Sequence, residues 1–141
     1  MFYRPRRENA GFTLLEIMIV IVIIGMLAGV VTLNVRHYLH RAKQNTARQE
    51  IATICNALET FYSEFSKYPT NEEGLELLTQ PNEKFPEPLL NGKPIDPWGR
   101  PYQYNQPGRN GPYEVICFGA DGREGGSGID ADIVSWELKA K

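Results

Sequence analysis

The sequence predicts an α+β fold in which a long N-terminal helix packs on a small antiparallel β-sheet. A mainly apolar run covers residues 12–35, and an amphipathic pattern with helical spacing continues it to about residue 66. No proline occurs between Pro5 and Pro69, so nothing in that interval forces a helix break. After residue 100, short segments rich in aromatic and branched side chains alternate with Gly- and Pro-containing turns, which is typical of strands.

The apolar run is long enough to cross a membrane as a helix. At about 1.5 Å per residue, residues 12–35 span roughly 36 Å, against a hydrocarbon core of about 30 Å. A secretory signal peptide would be shorter and would end at a small-residue cleavage site, which is not found here. Three arginines precede the run, namely Arg4, Arg6 and Arg7. The positive-inside rule therefore keeps this end in the cytoplasm and predicts export of the rest.

Beyond the apolar run, the predicted helix presents one apolar face to a core. Its members recur at intervals of three and four and are Ile51, Ile54, Cys55, Leu58, Phe61, Tyr62 and Phe65. Lys67 to Thr70 ends this helix. Thr70 and Glu73 have the spacing of a capping box, which predicts a second, short helix over residues 70–78.

The remaining chain is predicted to form three strands and their connections. The strands cover residues 102–104, 113–118 and 132–138, with a Pro-rich loop at 79–96 and a hairpin connection at 106–111. Roughly 105 residues remain after the apolar run, which is enough for one small domain.

Composition and motifs argue against several function classes. The chain has fifteen Lys and Arg residues and seventeen Asp and Glu residues, so its net charge does not predict a nucleic-acid partner. No nucleophile–base set, phosphate loop or zinc-protease motif is evident, so an enzyme is not expected. The two cysteines, Cys55 and Cys117, could form a disulfide in an exported domain or could be two small buried apolar residues.

Residues 118–132, called here the glycine–aspartate loop, are a candidate metal site. The loop holds five Gly and three Asp residues. Calcium binds about six to eight oxygens, which come from carboxylates and from inward-turned backbone carbonyls. Glycine permits the backbone conformations that turn carbonyls inward, and aspartate supplies hard ligands. The spacing does not match an EF-hand, so a solvated acidic hairpin loop stays the alternative interpretation.

The segment from Arg6 to Glu16 resembles the class III leader junction of type IV pilins and their relatives. In that family a prepilin peptidase cuts after the glycine, here Gly11, and the new N-terminal residue, here Phe12, is methylated. The resemblance implies that Glu16 pairs with the N-terminal amine of a neighbouring subunit in a helical filament. A buried carboxylate and a buried ammonium offset each other's desolvation cost only when they are paired. The implied organisation is a leader at 1–11, a transmembrane and filament-core half-helix at 12–35, and a periplasmic globular domain at 36–141.

The C-terminal half resembles the major pseudopilins of type II secretion systems. The resemblance is carried by the segments Asp96–Gly99, Gly119–Gly122 and Asp130–Ile133, followed by Trp136. It implies a pilin-like fold with one structural calcium ion in the glycine–aspartate loop. The implied ligands are the carboxylates of Asp121 and Asp132 with Asp130 as a third candidate, the carbonyls of Phe118 and Arg123, and Ser127. Family members differ in loop length, so the choice between Asp130 and Asp132 stays open.

The resemblance implies a structural subunit rather than a catalyst. Such a subunit is a single-pass inner-membrane protein that assembles into a periplasmic filament, the pseudopilus, which helps to export folded proteins across the outer membrane. The implied partners are further copies of itself, minor pseudopilins, prepilin peptidase, the inner-membrane assembly platform and membrane lipid. Two alternatives remain: a type IV pilus or DNA-uptake pilin, and a monomeric anchored calcium-binding module.

Overall fold

A computed structural model of the chain describes residues 11–139, with the side chains of residues 31–34, 37 and 139 left aside. The predicted leader, apart from Gly11, lies outside the described residues. The chain divides into two compact units, one ending at Tyr38 and one beginning at Leu39.

The first unit consists of the N-terminal part of helix α1, which runs over Leu14–Phe65. Every large apolar side chain recorded between Leu14 and Val30 is at least 49% exposed, so the described residues cover no side of this stretch of the helix. A helix that is apolar all round is stable only when other apolar groups surround it. Among the residues that the structure describes, no helical stretch meets the combined requirements of length and apolarity for crossing a membrane.

In the second unit, α1 supplies one wall of the hydrophobic core. Ile51 and Leu58 are fully buried, which confirms the apolar face predicted from the spacing at these positions, and Ala47, which was not part of the prediction, is fully buried as well. Tyr62 was expected on that face, but it is 44% exposed. Its ring stacks on Tyr68 at a centroid distance of 4.6 Å, so it packs on the chain that leaves the helix instead of the core.

The segment after α1 forms the predicted capping box but not the predicted helix. The Thr70 amide donates to Oε2 of Glu73 at 2.8 Å, and the Glu73 amide donates to Oγ1 of Thr70 at 3.2 Å. The expected α-helix over residues 70–78 is instead a short 3-10 helix at Leu75–Thr79. The reason is Gly74, whose φ of +58° leaves the right-handed helical region.

The sheet has three antiparallel strands in sequence order: β1 at Gln103–Asn105, β2 at Glu114–Cys117 and β3 at Ile133–Val134. Tyr104 pairs with Val115, and Ile116 pairs with Val134. All four residues of β2 are buried, because this central strand has a neighbour on each side and the core beneath it. The sheet and α1 share one core, and the predicted fold class is confirmed.

The last strand is shorter than expected. Residues 132–138 were predicted as a strand, but β3 ends at Val134 and a short helix, α2, follows at Ser135–Lys139. Oγ of Ser135, which is 2% exposed, accepts the Val115 amide at 3.0 Å. The serine side chain thus takes the hydrogen bond that a further backbone pairing would use, and the chain turns away from the sheet.

Tyrosine hydroxyls connect α1 to the segments that lie on it. Glu59 accepts from the hydroxyl of Tyr113 at 2.9 Å and from that of Tyr68 at 3.0 Å. Tyr102 donates in the same way to Glu50. These bonds fix β1 and the start of β2 on the helix, and so they fix the place where the glycine–aspartate loop leaves β2.

Candidate functional site

The residues of the predicted processing junction precede α1. Gly11, Phe12 and Thr13 are not helical, and Phe12 is 82% exposed. A side chain added at Gly11 would meet no described atom within 4 Å. The residues on both sides of the predicted cleavage point are therefore outside the helix and exposed in the described chain. Cleavage after Gly11 and methylation of Phe12 stay predictions.

Glu16 takes part in a local arrangement that the sequence analysis missed. Its Oε2 accepts the Thr13 amide at 3.2 Å, and its own amide donates to Oγ1 of Thr13 at 3.1 Å. These two bonds form a capping box at the start of α1. The Thr-x-x-Glu spacing could have revealed it, as the same spacing did at Thr70 and Glu73. The pairing of Glu16 with a neighbouring subunit stays a prediction.

The glycine–aspartate loop starts with a tight turn from Phe118 to Gly122. The Gly122 amide donates to the Phe118 carbonyl at 2.9 Å. Oδ1 of Asp121, the first predicted carboxylate ligand, accepts the Arg123 amide at 3.1 Å. Phe118, Asp121 and Arg123, three of the six predicted ligands, therefore belong to one locally ordered segment.

The second part of the loop distinguishes Asp130 from Asp132. Oδ2 of Asp132 accepts the Gly125 amide at 2.8 Å, which turns this carboxylate toward the loop. Its other oxygen, Oδ1, is buried and has no hydrogen-bond partner among the described residues. Asp130 contributes its backbone, because its amide donates to the Ser127 carbonyl at 3.2 Å. The carbonyl of Asp130 lies against Gly119 and Gly126.

One hydrogen bond joins the two halves of the loop, and two further contacts hold it from outside. The amide of Ala120 donates to the Ile129 carbonyl at 3.1 Å, which joins the two halves of the loop. Gln44 of α1 donates from Nε2 to the Gly128 carbonyl at 2.7 Å. Arg100 donates from Nη2 to the Gly119 carbonyl. The motif at Asp96–Gly99 is visible in the sequence, whereas the roles of Gln44 and Arg100 are not, because both residues act across a large separation in sequence.

The chemistry of the loop fits a hard cation. An unpaired buried carboxylate oxygen is costly, and Oδ1 of Asp132 calls for a proton, a water or a cation as its partner. Within the described part of the chain, no three His, Cys, Asp or Glu side chains form a metal-binding group. A calcium site here would therefore depend on backbone carbonyls together with Asp121 and Asp132, a mixture that calcium accepts.

The two cysteines are buried and form no disulfide within the described part of the chain, so the small apolar alternative holds for them. Sγ of Cys117 lies 3.6 Å from Oδ2 of Asp96. Burial, together with the charge of Asp96, raises the pKa of the Cys117 thiol to about 12. The thiol thus stays protonated at neutral pH and donates a weak hydrogen bond, which makes it an inert packing residue.

Two family models match the chain. The model described as type II secretion system protein G matches residues 34–136, and the prokaryotic N-terminal methylation motif matches residues 6–32. Type II secretion system core protein G of Pseudomonas aeruginosa is 42% identical over 139 residues, which cover 94% of this chain and 98% of that protein. The core protein G of Vibrio cholerae is 42% identical over 142 residues, which cover 96% of this chain and 97% of that protein.

A solved structure supports the same relationship. The crystal structure of the major pseudopilin from the type 2 secretion system of enterohaemorrhagic Escherichia coli aligns with a TM-score of 0.51 and 28% identity. The alignment covers 68% of this chain and 91% of the crystallised one. The described fold has the same long helix and small antiparallel sheet. The chain belongs to the protein G family of type II secretion systems, the family of the major pseudopilin.

Proposed function

We propose that this chain polymerises through its N-terminal helix into the periplasmic pseudopilus of a type II secretion system. The observation that carries the proposal is the exposure of the helix, since every large apolar side chain recorded from Leu14 to Val30 is at least 49% exposed. Such a surface needs apolar surroundings. Inner-membrane lipid would cover it before assembly, and the same helices of other copies would cover it in the filament.

The maturation that we propose follows from the junction at the start of the helix. Prepilin peptidase would cut after Gly11, and Phe12 would become the methylated N-terminal residue. The match to the N-terminal methylation motif over residues 6–32 supports this step. The N-terminus would lie in the cytoplasm and the globular unit in the periplasm. Minor pseudopilins and the inner-membrane assembly platform would be the other partners.

In this proposal Glu16 sets the register of the filament. Cleavage after Gly11 would create an ammonium group at Phe12. In an apolar helix bundle, that ammonium and the carboxylate of Glu16 would each be costly unless paired between neighbours. A subunit out of register would leave both groups unpaired. The capping bonds between Glu16 and Thr13 occupy one carboxylate oxygen and would hold the side chain at the helix start.

Two substitutions separate the charge of Glu16 from its capping role. Glu16→Gln keeps an acceptor for the Thr13 amide but removes the charge, and Thr13→Ala removes the cap but keeps the charge. We expect Glu16→Gln to be processed normally and to abolish crosslinked multimers in cells that contain the secretion machinery. Thr13→Ala should assemble with a modest loss, since a cap contributes about 1 kcal/mol. Normal multimers of Glu16→Gln would contradict the pairing.

We further propose that the glycine–aspartate loop binds one calcium ion. Asp132 and Asp121 would supply carboxylates, and Phe118 and Arg123 would supply carbonyls, with Ser127 and Asp130 as further candidates. The bound ion would neutralise the carboxylates and join the two halves of the loop. The buried Oδ1 of Asp132, which has no hydrogen-bond partner among the described residues, supports Asp132 over Asp130 as the principal ligand.

Thermal unfolding of the full chain in a mild detergent tests the calcium site. A ligand that binds only the folded state stabilises it by about 2.7 kcal/mol at a hundred times its Kd. We expect calcium chloride to raise the Tm relative to a chelator, Asp132→Asn to abolish this rise, and the matched variant Asp130→Asn to retain most of it. The absence of a rise in the unchanged chain would refute calcium binding, and the opposite order of the variants would reassign the ligand.

A further inference from the structure

The guanidinium of Arg100 lies against the first turn of the glycine–aspartate loop at two points. Nη2 donates to the carbonyl of Gly119. At Gly122, an added Cβ would overlap Nη1 and would lie 2.9 Å from Cζ of Arg100. Gly122 thus leaves the space that the guanidinium fills. The two contacted residues are the second and the last of the turn from Phe118 to Gly122.

Hydrogen bonds hold the backbone turn that carries Arg100. Oδ1 of Asp96 accepts the Trp98 amide and the Arg100 amide, each at 2.9 Å. The Asp96 amide donates to the Arg100 carbonyl at 2.7 Å, and Gly99 takes a φ of +89° that favours glycine. Asp96 is 5% exposed, so this turn is built around a buried carboxylate. The backbone position from which the Arg100 side chain extends is therefore held by these hydrogen bonds of the Asp96 turn, none of which involves the glycine–aspartate loop.

The charge of Arg100 is balanced on the side away from the loop. Its Nε lies 3.5 Å from Oδ2 of Asp96, an ion-pair distance that is too long for a strong hydrogen bond. Arginine carries a positive charge on a planar group that can contact several acceptors at once. The positive charge of Arg100 therefore lies at the loop, and the buried carboxylate of Asp96 lies on the other side of the guanidinium.

Two opposite effects on a divalent cation follow from this placement. Repulsion between the guanidinium and a bound ion would weaken binding, although Asp96 reduces the net charge of the pair. Preorganisation would strengthen binding, because the turn that holds Phe118 and Asp121 is already formed by the Arg100 contacts. Arg100 also satisfies the Gly119 carbonyl, which takes this oxygen out of the set open to an ion.

We propose that Arg100 is a positioning residue for calcium in the glycine–aspartate loop. It fixes the turn from Phe118 to Gly122 before the ion binds, and it directs the ion away from Gly119 toward Phe118, Asp121 and Asp132. This inference rests on the calcium binding proposed above. It predicts that preorganisation outweighs repulsion, so that loss of the guanidinium weakens calcium binding.

The test uses calorimetric titration of the full chain in detergent with calcium chloride. We expect Arg100→Gln to weaken the Kd by roughly tenfold or more, the range seen when partners behind metal ligands are removed. Arg100→Lys, which keeps the charge without the planar group, should fall between Arg100→Gln and the unchanged chain. The control is Arg48→Gln, which removes an equal charge from an exposed residue of α1 whose guanidinium bonds Asn45. This control should change the Kd less than threefold.

A second readout does not depend on the ion. Trypsin cleavage after the exposed Arg123, measured in chelator and identified by mass spectrometry, reports order in the loop. We expect Arg100→Gln to accelerate this cleavage several-fold, and Arg48→Gln to leave it unchanged. Should circular dichroism show that Arg100→Gln does not fold, Arg100→Lys replaces it in both measurements. We expect it to bind calcium more weakly and to be cleaved faster than the unchanged chain.

The outcomes separate the two proposals. If the unchanged chain binds no calcium, the proposed calcium function fails and this inference fails with it. If the unchanged chain binds calcium and Arg100→Gln binds it equally or more tightly, the calcium function stands and the positioning role is overturned. Weaker binding together with faster cleavage in chelator supports the positioning role.

Discussion

Two glycines of the glycine–aspartate loop allow a matched test of how tightly its halves are packed. Gly119 and Gly128 both have a left-handed φ, of +47° and +63°. Their surroundings differ, because a Cβ added at Gly119 would lie 2.5 Å from the carbonyl oxygen of Asp130, whereas one at Gly128 would meet no described atom within 4 Å. Alanine at either position thus imposes a similar backbone cost, but only alanine at Gly119 also creates a steric conflict.

The magnitudes follow from these contacts. A left-handed φ costs a non-glycine residue about 1–2 kcal/mol, offset by about 0.4–1 kcal/mol from the less flexible unfolded chain. We therefore expect Gly128→Ala to destabilise the protein by about 1 kcal/mol. In Gly119→Ala, the added methyl group must move away from backbone, and the hydrogen bond from Ala120 to Ile129 stretches from its 3.1 Å. Overpacking adds about 1–3 kcal/mol and the lost bond about 1 kcal/mol. The expected total for Gly119→Ala is about 3–5 kcal/mol.

Urea unfolding of the full chain in detergent, followed by circular dichroism in the presence of a chelator, measures both free energies without a contribution from calcium. Thermal unfolding should agree, with a fall of about 4 °C in Tm for each kcal/mol in a domain of this size. If the two variants differ by less than about 0.5 kcal/mol, the close approach of Gly119 to Asp130 is not maintained in solution, and the packing argument fails.

Two further predictions concern the core and its tyrosines. Leu58→Ala should destabilise the protein by about 2–5 kcal/mol, because Leu58 is fully buried. Leu39→Ala, at a position 56% exposed on the same helix, should change the free energy of unfolding by about 0.5 kcal/mol or less. Equal effects of the two substitutions in urea unfolding would contradict the placement of the core. Burial and the hydrogen bond to Glu59 raise the pKa of Tyr68 to about 12. The stability contributed by its neutral form is complete below a pH of about 10 and is lost as the pH rises toward 12. Unfolding measured from pH 9 to 12 should therefore show a steeper fall for the unchanged chain than for Tyr68→Phe, and parallel curves would count against this origin of the pH dependence.

The helix and its faces could be predicted from sequence because they depend on local periodicity. Ile51 and Leu58 lie two turns apart, and this spacing places both on one side of any α-helix. The predicted face is confirmed at both positions. The junction at Gly11 and Glu16 is likewise a pattern of neighbouring residues, which is why a short motif was enough to indicate the family.

Local patterns gave less information where two local preferences competed. The capping box at Thr70 and Glu73 forms, yet the expected helix is interrupted by the left-handed conformation of Gly74. At the C-terminus, the branched and aromatic residues after Asp132 favour a strand. There the side chain of Ser135 bonds the β2 backbone, and the chain becomes helical. In each case a single side chain or φ value decided where an element began or ended.

The sequence by itself determined the long helix, the approximate positions of the three strands, the family and the loop that carries the candidate ligands. The tertiary structure alone decided which side chains support that loop. It brought Arg100 to Gly119 and Gly122, and it turned the carboxylate of Asp132 toward Gly125. The physical reason is that periodicity and motifs report interactions within a few residues. A contact such as that of Arg100 depends instead on how the sheet places two turns that are 19 residues apart in the chain.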